Sequence, residues 1–255
     1  MSKKWQAVIF DLDDTLYPER DYVLSGFRAV SLWAEEHWGI PAAPGFAELQ
    51  KLLDHGVRGN TFDRWLASHQ IPVNGAIQEL IHIYRNHQPT LMPFPEVPNL
   101  LLSLGKTHRL GLLSDGYLEV QQRKLCALNL AHYFDAIIFS DEWGREAWKP
   151  AAKPFEEILA RLRTEANASI YVGDNPIKDF LGARQRGMFT IQVKRSDGLY
   201  TSLEPPTPAH APDLTLESLV ELKTFLSSET SEMFIGKEMN QNSKNAVGVT
   251  CYLQE

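Results

Sequence analysis

The chain has 255 residues, enough for one large domain or for one domain that carries an insertion. Apolar residues make up 44% of it and charged residues 22%, as in ordinary globular proteins, and a formal net charge of -7 excludes a globally basic nucleic-acid-binding protein. No run of 18 apolar residues predicts a transmembrane helix. The short apolar run near the N-terminus lacks a signal-peptide cleavage site, and two cysteines are too few for a disulfide scaffold. We therefore expect a cytoplasmic protein without a membrane or nucleic-acid partner.

The first predicted element is a short buried strand at residues 6–10, which ends at Asp11. From about residue 17 to residue 92, apolar residues recur at helical spacing and no strand pattern interrupts them. One such stripe consists of Val23, Phe27, Val30 and Ala34. Prolines at positions 89, 93, 95 and 98 then predict a stiff connector.

After this connector, predicted helices and strands alternate. Predicted strands cover residues 109–113, 136–139, 169–172 and 189–193; predicted helices cover 99–104 and 118–130 and begin again at Pro154 and at Asn175. Strands separated by helices indicate an α/β fold with a doubly wound parallel sheet. We predict a Rossmann-like core at 1–16 and 93–226 and an inserted all-helical domain at 17–92. Residues 227–255 are predicted to be a polar, disordered tail, or alternatively to add an edge strand at 247–253.

Acidic and hydroxyl residues stand where the predicted strands end. The ends carry Asp11-Leu12-Asp13-Asp14-Thr15, Ser114-Asp115-Gly116 and Gly173-Asp174-Asn175, and Asp179 and Lys149 lie in nearby segments. Ligands of open α/β sheets bind beyond the carboxyl ends of the strands. Each cluster alone could be a set of helix-capping or turn residues, but their combined placement predicts one convergent site.

The segments FDLDDTL, LLSDG, WKPAAKPFEEIL and YVGDNPIKDFLGA resemble the four motifs of the haloacid dehalogenase-like hydrolase superfamily, over residues 6–193. The helical insertion resembles the small cap domain of one branch of that superfamily. The resemblance implies a strand order of 5-4-1-2-3, a mobile cap and a phosphatase that uses Mg²⁺.

The resemblance also implies roles for individual residues. Asp11 is expected to be the nucleophile that forms an aspartyl-phosphate, and Asp13 the acid and base. Mg²⁺ is expected to be held by Asp11, Asp174 and the backbone carbonyl of Asp13. The expected phosphate-binding groups are the Ser114 side chain, the backbone N–H groups of Asp115 and Gly116, and Lys149. Asp179 is expected to support Lys149 or a metal-bound water.

Two positions depart from the simplest form of these motifs. Lys153 also precedes a proline, but the spacing of the third motif to Phe155 favours Lys149. In the second motif, Asp115 stands where many relatives carry Asn, so a side-chain contact with substrate could differ.

Asp13 distinguishes between the two reactions known in this superfamily, dehalogenation and phosphate-ester hydrolysis. True dehalogenases lack an acid two residues after the nucleophile, because halide leaves without a proton. The resemblance therefore implies a phosphatase acting on a small metabolite, such as a sugar phosphate or a nucleoside monophosphate. A phosphomutase acting on a sugar phosphate and a non-catalytic phosphate-binding regulator are the alternatives. In the helical insertion, Arg20 and Tyr22 are candidate substrate contacts, and the sequence does not indicate the oligomeric state.

Overall fold

The computed structural model describes residues 5–196 and 198–231. The chain divides into two compact units, of which Arg20–Leu91 is one and the remaining described residues are the other. Among the described helices, none combines the length and the apolar character needed to cross a bilayer.

The larger unit is built on a six-stranded, all-parallel sheet. Its strands are β1 (Ala7–Phe10), β2 (Arg109–Ser114), β3 (Ala136–Phe139), β4 (Ser169–Gly173), β5 (Phe189–Val193) and β6 (Leu214–Leu216), in the spatial order β3-β2-β1-β4-β5-β6. Every residue of β1 is fully buried, as expected for a central parallel strand covered on both faces. The predicted doubly wound α/β fold and the order of its first five strands are confirmed. The sixth strand was not predicted.

Helices cover this sheet. The larger unit contains α5 (Val97–Leu104), α6 (Leu118–Leu128), α7 (Ala152–Leu162), α8 (Asp179–Gln185) and α9 (Leu219–Ser231), with short 3-10 helices at Ala131–Tyr133, Ser140–Trp143, Arg145–Ala147, Ala166–Ala168 and Pro208–His210. Helix α7 packs on β2 and β3, whereas α8 packs on β4 and β5. Helix α9 runs into the start of the predicted polar tail. The rest of that tail, with the alternative edge strand at 247–253, lies outside the described residues.

Three helices of the larger unit begin at other residues than the sequence predicts. Helix α5 begins at Val97, two residues before the predicted start at residue 99. Helix α7 begins at Ala152, before Pro154, which lies in the first turn where its missing N–H costs nothing. Helix α8 begins at Asp179 instead of Asn175. The Asn175 side chain accepts a hydrogen bond from the backbone N–H of Ile177 at 3.0 Å, which stabilises a turn instead of a helix.

The smaller unit is helical, as predicted for this segment. Most of it consists of α1 (Glu19–Trp38), α2 (Ala42–Asp54), α3 (Thr61–Ser68) and α4 (Val73–Asn86). Its core includes Phe27, Leu49, Trp65 and Leu80. Of the two candidate substrate contacts in this unit, Arg20 forms an ion pair with Asp54, and the buried Tyr22 ring packs edge-on against Tyr84. The interpretation of this unit as a cap stays a prediction.

The close packing of α8 against α7 and the segment before it depends on Gly182. A Cβ atom at this position would lie 2.5 Å from both the carbonyl oxygen of Pro150 and a ring carbon of Phe155. The backbone carbonyl cannot move away as a flexible side chain can. We expect Gly182→Ala to lower the free energy of unfolding by about 1–3 kcal/mol.

Urea denaturation with a constant m-value measures this change. Gln185→Ala in the same helix is the matched control, because Gln185 is exposed. A Gly182→Ala protein as stable as the control would contradict the packing described for α8.

Candidate active site

Three neighbouring strands bring the predicted site residues to one edge of the sheet. Strand β1 lies between β2 and β4, with Phe10 in register with Leu112 on one side and with Val172 on the other. Asp11 directly follows β1, Ser114 ends β2, and Asp174 directly follows β4. Because all three strands run parallel, these residues leave the sheet at the same edge, where α/β proteins bind ligands.

The Lys149 side chain is the centre of the site. Its ammonium group is fully buried and donates hydrogen bonds to Asp11 Oδ1 at 2.7 Å, Asp179 Oδ1 at 2.7 Å and the Tyr171 hydroxyl at 2.8 Å. Burial alone would lower the pKa of Lys149, but Asp11 and Asp179 raise it, so the group stays charged. All three ammonium hydrogens therefore have acceptors within the protein. Lys153, the rival in sequence, lies over the Trp143 ring instead.

Only one of the two carboxylate oxygens of Asp11 has a hydrogen-bond partner. Its backbone N–H is bonded to the carbonyl of Val172 at 2.8 Å, which fixes the residue to β4. Oδ1 accepts from Lys149, whereas the buried Oδ2 has no hydrogen-bond partner and lies 4.0 Å from Lys178 Nζ. Burial raises the pKa of the Asp11 carboxyl to about 6, although Lys149 and Lys178 oppose this effect. A buried carboxylate oxygen without a partner is costly, and such atoms are typical of ligand-binding and catalytic sites.

Asp11, Asp174 and Asp179 form a cluster suited to a cation. One carboxylate oxygen from each lies within 4.8 Å of the others. Burial, followed by the negative charges of Asp179 and Asp11, raises the pKa of Asp174 well above its ordinary value. Asp174 also lines an open cleft with Asp14, Arg195 and Tyr200. An oxygen-only donor set with an unpartnered buried oxygen fits a hard divalent cation such as Mg²⁺.

Asp179 differs from the other two acids because both of its oxygens are engaged. Oδ1 accepts from Lys149, and Oδ2 accepts from the backbone N–H of Asn175 at 2.9 Å. Burial opposes its ionisation, but Lys149 and Lys178 outweigh this and lower the pKa of Asp179. A Cβ atom at position 173 would lie 2.5 Å from Asp179 Oδ2, so Gly173 leaves the room that this acid needs. Asp179 is thus bonded to Lys149, and its functional role in supporting Lys149 or a metal-bound water stays a prediction.

The Asp13 carboxylate points to a different set of partners. It accepts hydrogen bonds from Lys124 Nζ at 2.7 Å, from Gln121 Nε2 at 2.8 Å and from the Tyr17 hydroxyl. Burial opposes its ionisation, but the charge and hydrogen bond of Lys124 outweigh this and lower the pKa of Asp13. The carboxylate is therefore held ionised. The predicted contribution of its backbone carbonyl to a metal site stays a prediction.

The second predicted motif forms a tight loop beside these acids. Ser114 is fully buried, and its Oγ accepts a hydrogen bond from Gln121 Nε2 at 2.6 Å. The Asp115 carboxylate points into the protein, where it accepts from Ser140 Oγ at 2.5 Å and from the backbone N–H of Lys149 at 3.1 Å. Gly116 has a φ of +124°, which a residue with a side chain rarely adopts. The Asp115 side chain thus ties the loop to the Lys149 segment.

The structure brings the predicted residues of the four motifs together at one edge of the sheet, and it adds others. The candidate substrate contacts Arg20 and Tyr22 belong to the smaller unit instead. Gln121, Lys124, Lys178 and Tyr171 were not predicted. Gln121 and Lys124 are three residues apart, and Leu125 and Leu128 follow each of them by four residues, so all four lie on the buried face of α6. Helix α6 follows a strand that ends in the site, and it carries polar residues at positions that face the core. This pattern could have indicated that Gln121 and Lys124 belong to the site.

Comparison with known proteins places the chain among hydrolases. The family model described as haloacid dehalogenase-like hydrolase matches residues 8–193. The chain is 32% identical to a glyceraldehyde 3-phosphate phosphatase from Methanothermobacter thermautotrophicus, over 74% of this chain and 85% of that protein. It is 30% identical to a protein of the same name from Methanopyrus kandleri, over 85% of this chain and 95% of that protein.

A solved structure is also similar along nearly its whole length. The 2-haloacid dehalogenase from Pseudomonas syringae is 26% identical, with a TM-score of 0.59, over 88% of this chain and 99% of that one. The matched residues 8–193 span all four predicted motifs and the acids, lysine and serine that meet at the edge of the sheet. The chain therefore belongs to the haloacid dehalogenase-like hydrolase family.

Proposed function

We propose that this protein is a Mg²⁺-dependent phosphatase that hydrolyses a small phosphorylated metabolite through an aspartyl-phosphate formed on Asp11. The observation that carries this proposal is the state of the Asp11 carboxylate. Lys149 fixes one oxygen, and the other is buried without a partner at the edge of the sheet. Such an oxygen is available to an incoming electrophile or cation, as a nucleophilic carboxylate requires.

Asp11, Asp174 and the backbone carbonyl of Asp13 would hold the Mg²⁺ ion. When bound, the ion offsets the repulsion between a carboxylate and a dianionic phosphate monoester and stabilises the charge of the transferred phosphoryl group. The protein's own groups supply the rest. Ser114 Oγ and the backbone N–H groups of Asp115 and Gly116 donate to the phosphoryl oxygens. Lys149 has no hydrogen left to donate, so it acts through its charge and by orienting Asp11.

The reaction would proceed in two displacements. The Asp13 carboxylate, which is ionised in the free protein, first takes up a proton from solvent or from the monoprotonated ester. The Asp11 carboxylate then forms a bond to phosphorus while the ester P–O bond breaks, and Asp13 gives its proton to the departing alkoxide. Water then attacks phosphorus of the aspartyl-phosphate while the bond between phosphorus and the Asp11 oxygen breaks, and Asp13 takes up the proton of the water. Phosphate leaves, and both acids return to their initial states. A halide leaving group would need no such proton, so the acid at position 13 supports phosphatase rather than dehalogenase chemistry.

The first test replaces the nucleophile. We expect Asp11→Asn to reduce kcat by at least about a hundredfold, because covalent catalysis supplies many orders of magnitude. The amide occupies the same volume and one of its positions has no partner in the wild type, so the melting temperature should not fall. Steady-state phosphate release and thermal unfolding measure the two effects. An Asp11→Asn enzyme that keeps more than about one hundredth of the wild-type rate would contradict the role of Asp11.

The second test concerns the cation. Millimolar Mg²⁺ should raise the melting temperature and restore activity after treatment with EDTA. At a free concentration about a hundredfold above the Kd, linkage gives about 2.7 kcal/mol of stabilisation. Asp174→Asn should remove most of this shift, whereas Asp63→Asn, at an exposed position, should retain it. If Mg²⁺ raised the melting temperatures of the wild type and of Asp174→Asn by the same amount, Asp174 would be excluded as a ligand.

The third test identifies the substrate class and separates hydrolysis from phosphoryl transfer. We expect glyceraldehyde 3-phosphate and other small sugar phosphates to be hydrolysed with higher kcat/KM than nucleoside monophosphates, since two relatives carry the name glyceraldehyde 3-phosphate phosphatase. A panel of phosphate esters with Mg²⁺, analysed for free phosphate and for isomerised sugar phosphate, measures this. Isomerised product would indicate a phosphomutase, and no turnover of any ester would favour a non-catalytic phosphate-binding regulator.

A further inference from the structure

We infer that Gln121 is a positioning residue that couples the phosphate-binding hydroxyl of Ser114 to the acid–base carboxylate of Asp13. The inference rests on the proposed phosphatase function and adds a residue to its site. Gln121 lies one turn into α6 and is almost completely buried, with 1% of its surface exposed. Its Nε2 donates to Ser114 Oγ at 2.6 Å and to Asp13 Oδ2 at 2.8 Å.

The chemistry of the two partners fixes the orientation of the Gln121 amide. The Gln121 amide nitrogen lies within hydrogen-bond distance of both partners, and an amide nitrogen donates hydrogen bonds but does not accept them, so Asp13 Oδ2 and Ser114 Oγ both act as acceptors. Both hydrogens of that NH₂ group are then used, one for each partner. Gln121 therefore cannot rotate to serve one partner without leaving the other.

This orientation determines what Ser114 can do. Its oxygen accepts the hydrogen bond from Gln121, so the Ser114 hydroxyl hydrogen remains available to an acceptor. An unprotonated phosphoryl oxygen accepts hydrogen bonds and has no hydrogen to donate. Gln121 thus directs the hydroxyl of Ser114 toward donation to phosphate, the role that the proposed function needs.

The same side chain also sets the position of Asp13. Lys124, three residues further along α6, holds the other oxygen of that carboxylate at 2.7 Å. The two oxygens of Asp13 are therefore held by two side chains from the same helix. Gln121 also lies against the second-motif loop, because a Cβ atom at Gly116 would be 3.1 Å from its Cδ. One helix thereby fixes the relative position of two functional groups that come from different strands.

The decisive experiment compares two kinds of leaving group. An alkyl phosphate needs a proton from Asp13 when the ester bond breaks, whereas p-nitrophenyl phosphate releases a stable phenolate without one. With Gln121→Met, kcat for glycerol phosphate should fall about tenfold more than kcat for p-nitrophenyl phosphate. The Kd of inorganic phosphate, measured by calorimetry with Mg²⁺, should rise about five- to tenfold, which is the effect of losing the net contribution of one typical hydrogen bond when the Ser114 hydroxyl is no longer directed.

Two further variants complete the test. Gln122→Met is the matched control, because Gln122 is the exposed neighbour in the same helix. In this variant, the kcat values for both esters and the Kd of phosphate should equal those of the wild type. Lys124→Met serves if Gln121→Met does not fold. Lys124 contacts Asp13 and not Ser114, so this variant should change the ratio of the two kcat values while the Kd of phosphate stays within about twofold.

The outcomes separate this inference from the proposed function. An equal fall of both kcat values in Gln121→Met, or a Kd for phosphate equal to that of the wild type, overturns the inference, because a merely structural role predicts such results. A wild-type protein that hydrolyses neither ester overturns the proposed function instead. In that case the Kd of phosphate alone decides the inference, and an unchanged value in Gln121→Met refutes it.

Discussion

The buried ammonium group of Lys149 holds the site together. Without it, Asp11 and Asp179 would be two buried carboxylates facing each other, which a low-dielectric interior does not tolerate. Lys149 donates to both at 2.7 Å, and it reaches them from a segment that is itself tied to the loop after β2 through Asp115. Removing this ammonium group would leave two buried carboxylates uncompensated, and such a loss typically costs about 3–5 kcal/mol. The geometry of the acids therefore depends on the placement of this one cation.

The placement in turn depends on the parallel sheet. Three adjacent strands end at one edge, so short loops suffice to bring acids from the first and fourth motifs to the lysine of the third. Small residues make these close approaches feasible. Gly173 leaves room for Asp179, and Gly182 allows α8 to approach the carbonyl of Pro150, which directly follows Lys149 in the chain. The same two glycines therefore allow the backbone to pack closely and the site residues to reach their positions.

The sequence carried most of this information, because strand-end residues are specified by local pattern and chain order alone. Asp11, Ser114 and Asp174 could be placed at one edge once the strands and their parallel order were predicted. The start of α8 could not be predicted from the sequence. The Asn175 side chain accepts a hydrogen bond from a backbone N–H and so competes with the helix, and the spacing of apolar residues does not reveal this competition. Strand β6 has three residues, too few for an alternation pattern to distinguish from a loop.

The contacts of Gln121 and Lys124 were harder to predict for a different reason. A helix has several buried positions, and which of them faces a functional group depends on the rotation of α6 about its axis when it packs against the sheet. Pattern analysis gives the buried face but not the partner on the other side. The sequence did hold a weaker sign, namely polar side chains at positions where the apolar Leu125 and Leu128 continue the buried face.

The acids of the site fall into two electrostatic classes, and the difference indicates where a cation belongs. Asp13 and Asp179 are compensated by lysines, and their pKa values are lowered. Asp11 and Asp174 are not fully compensated, and their pKa values are raised. The folded protein holds the Asp11 proton more tightly than the unfolded chain does, so stability falls as pH rises from the ordinary aspartate range, around 3.8, to about 6. At neutral pH the fold thus bears the cost of two poorly compensated buried acids. A bound divalent cation would remove that cost, which links the affinity for metal to the stability of the site.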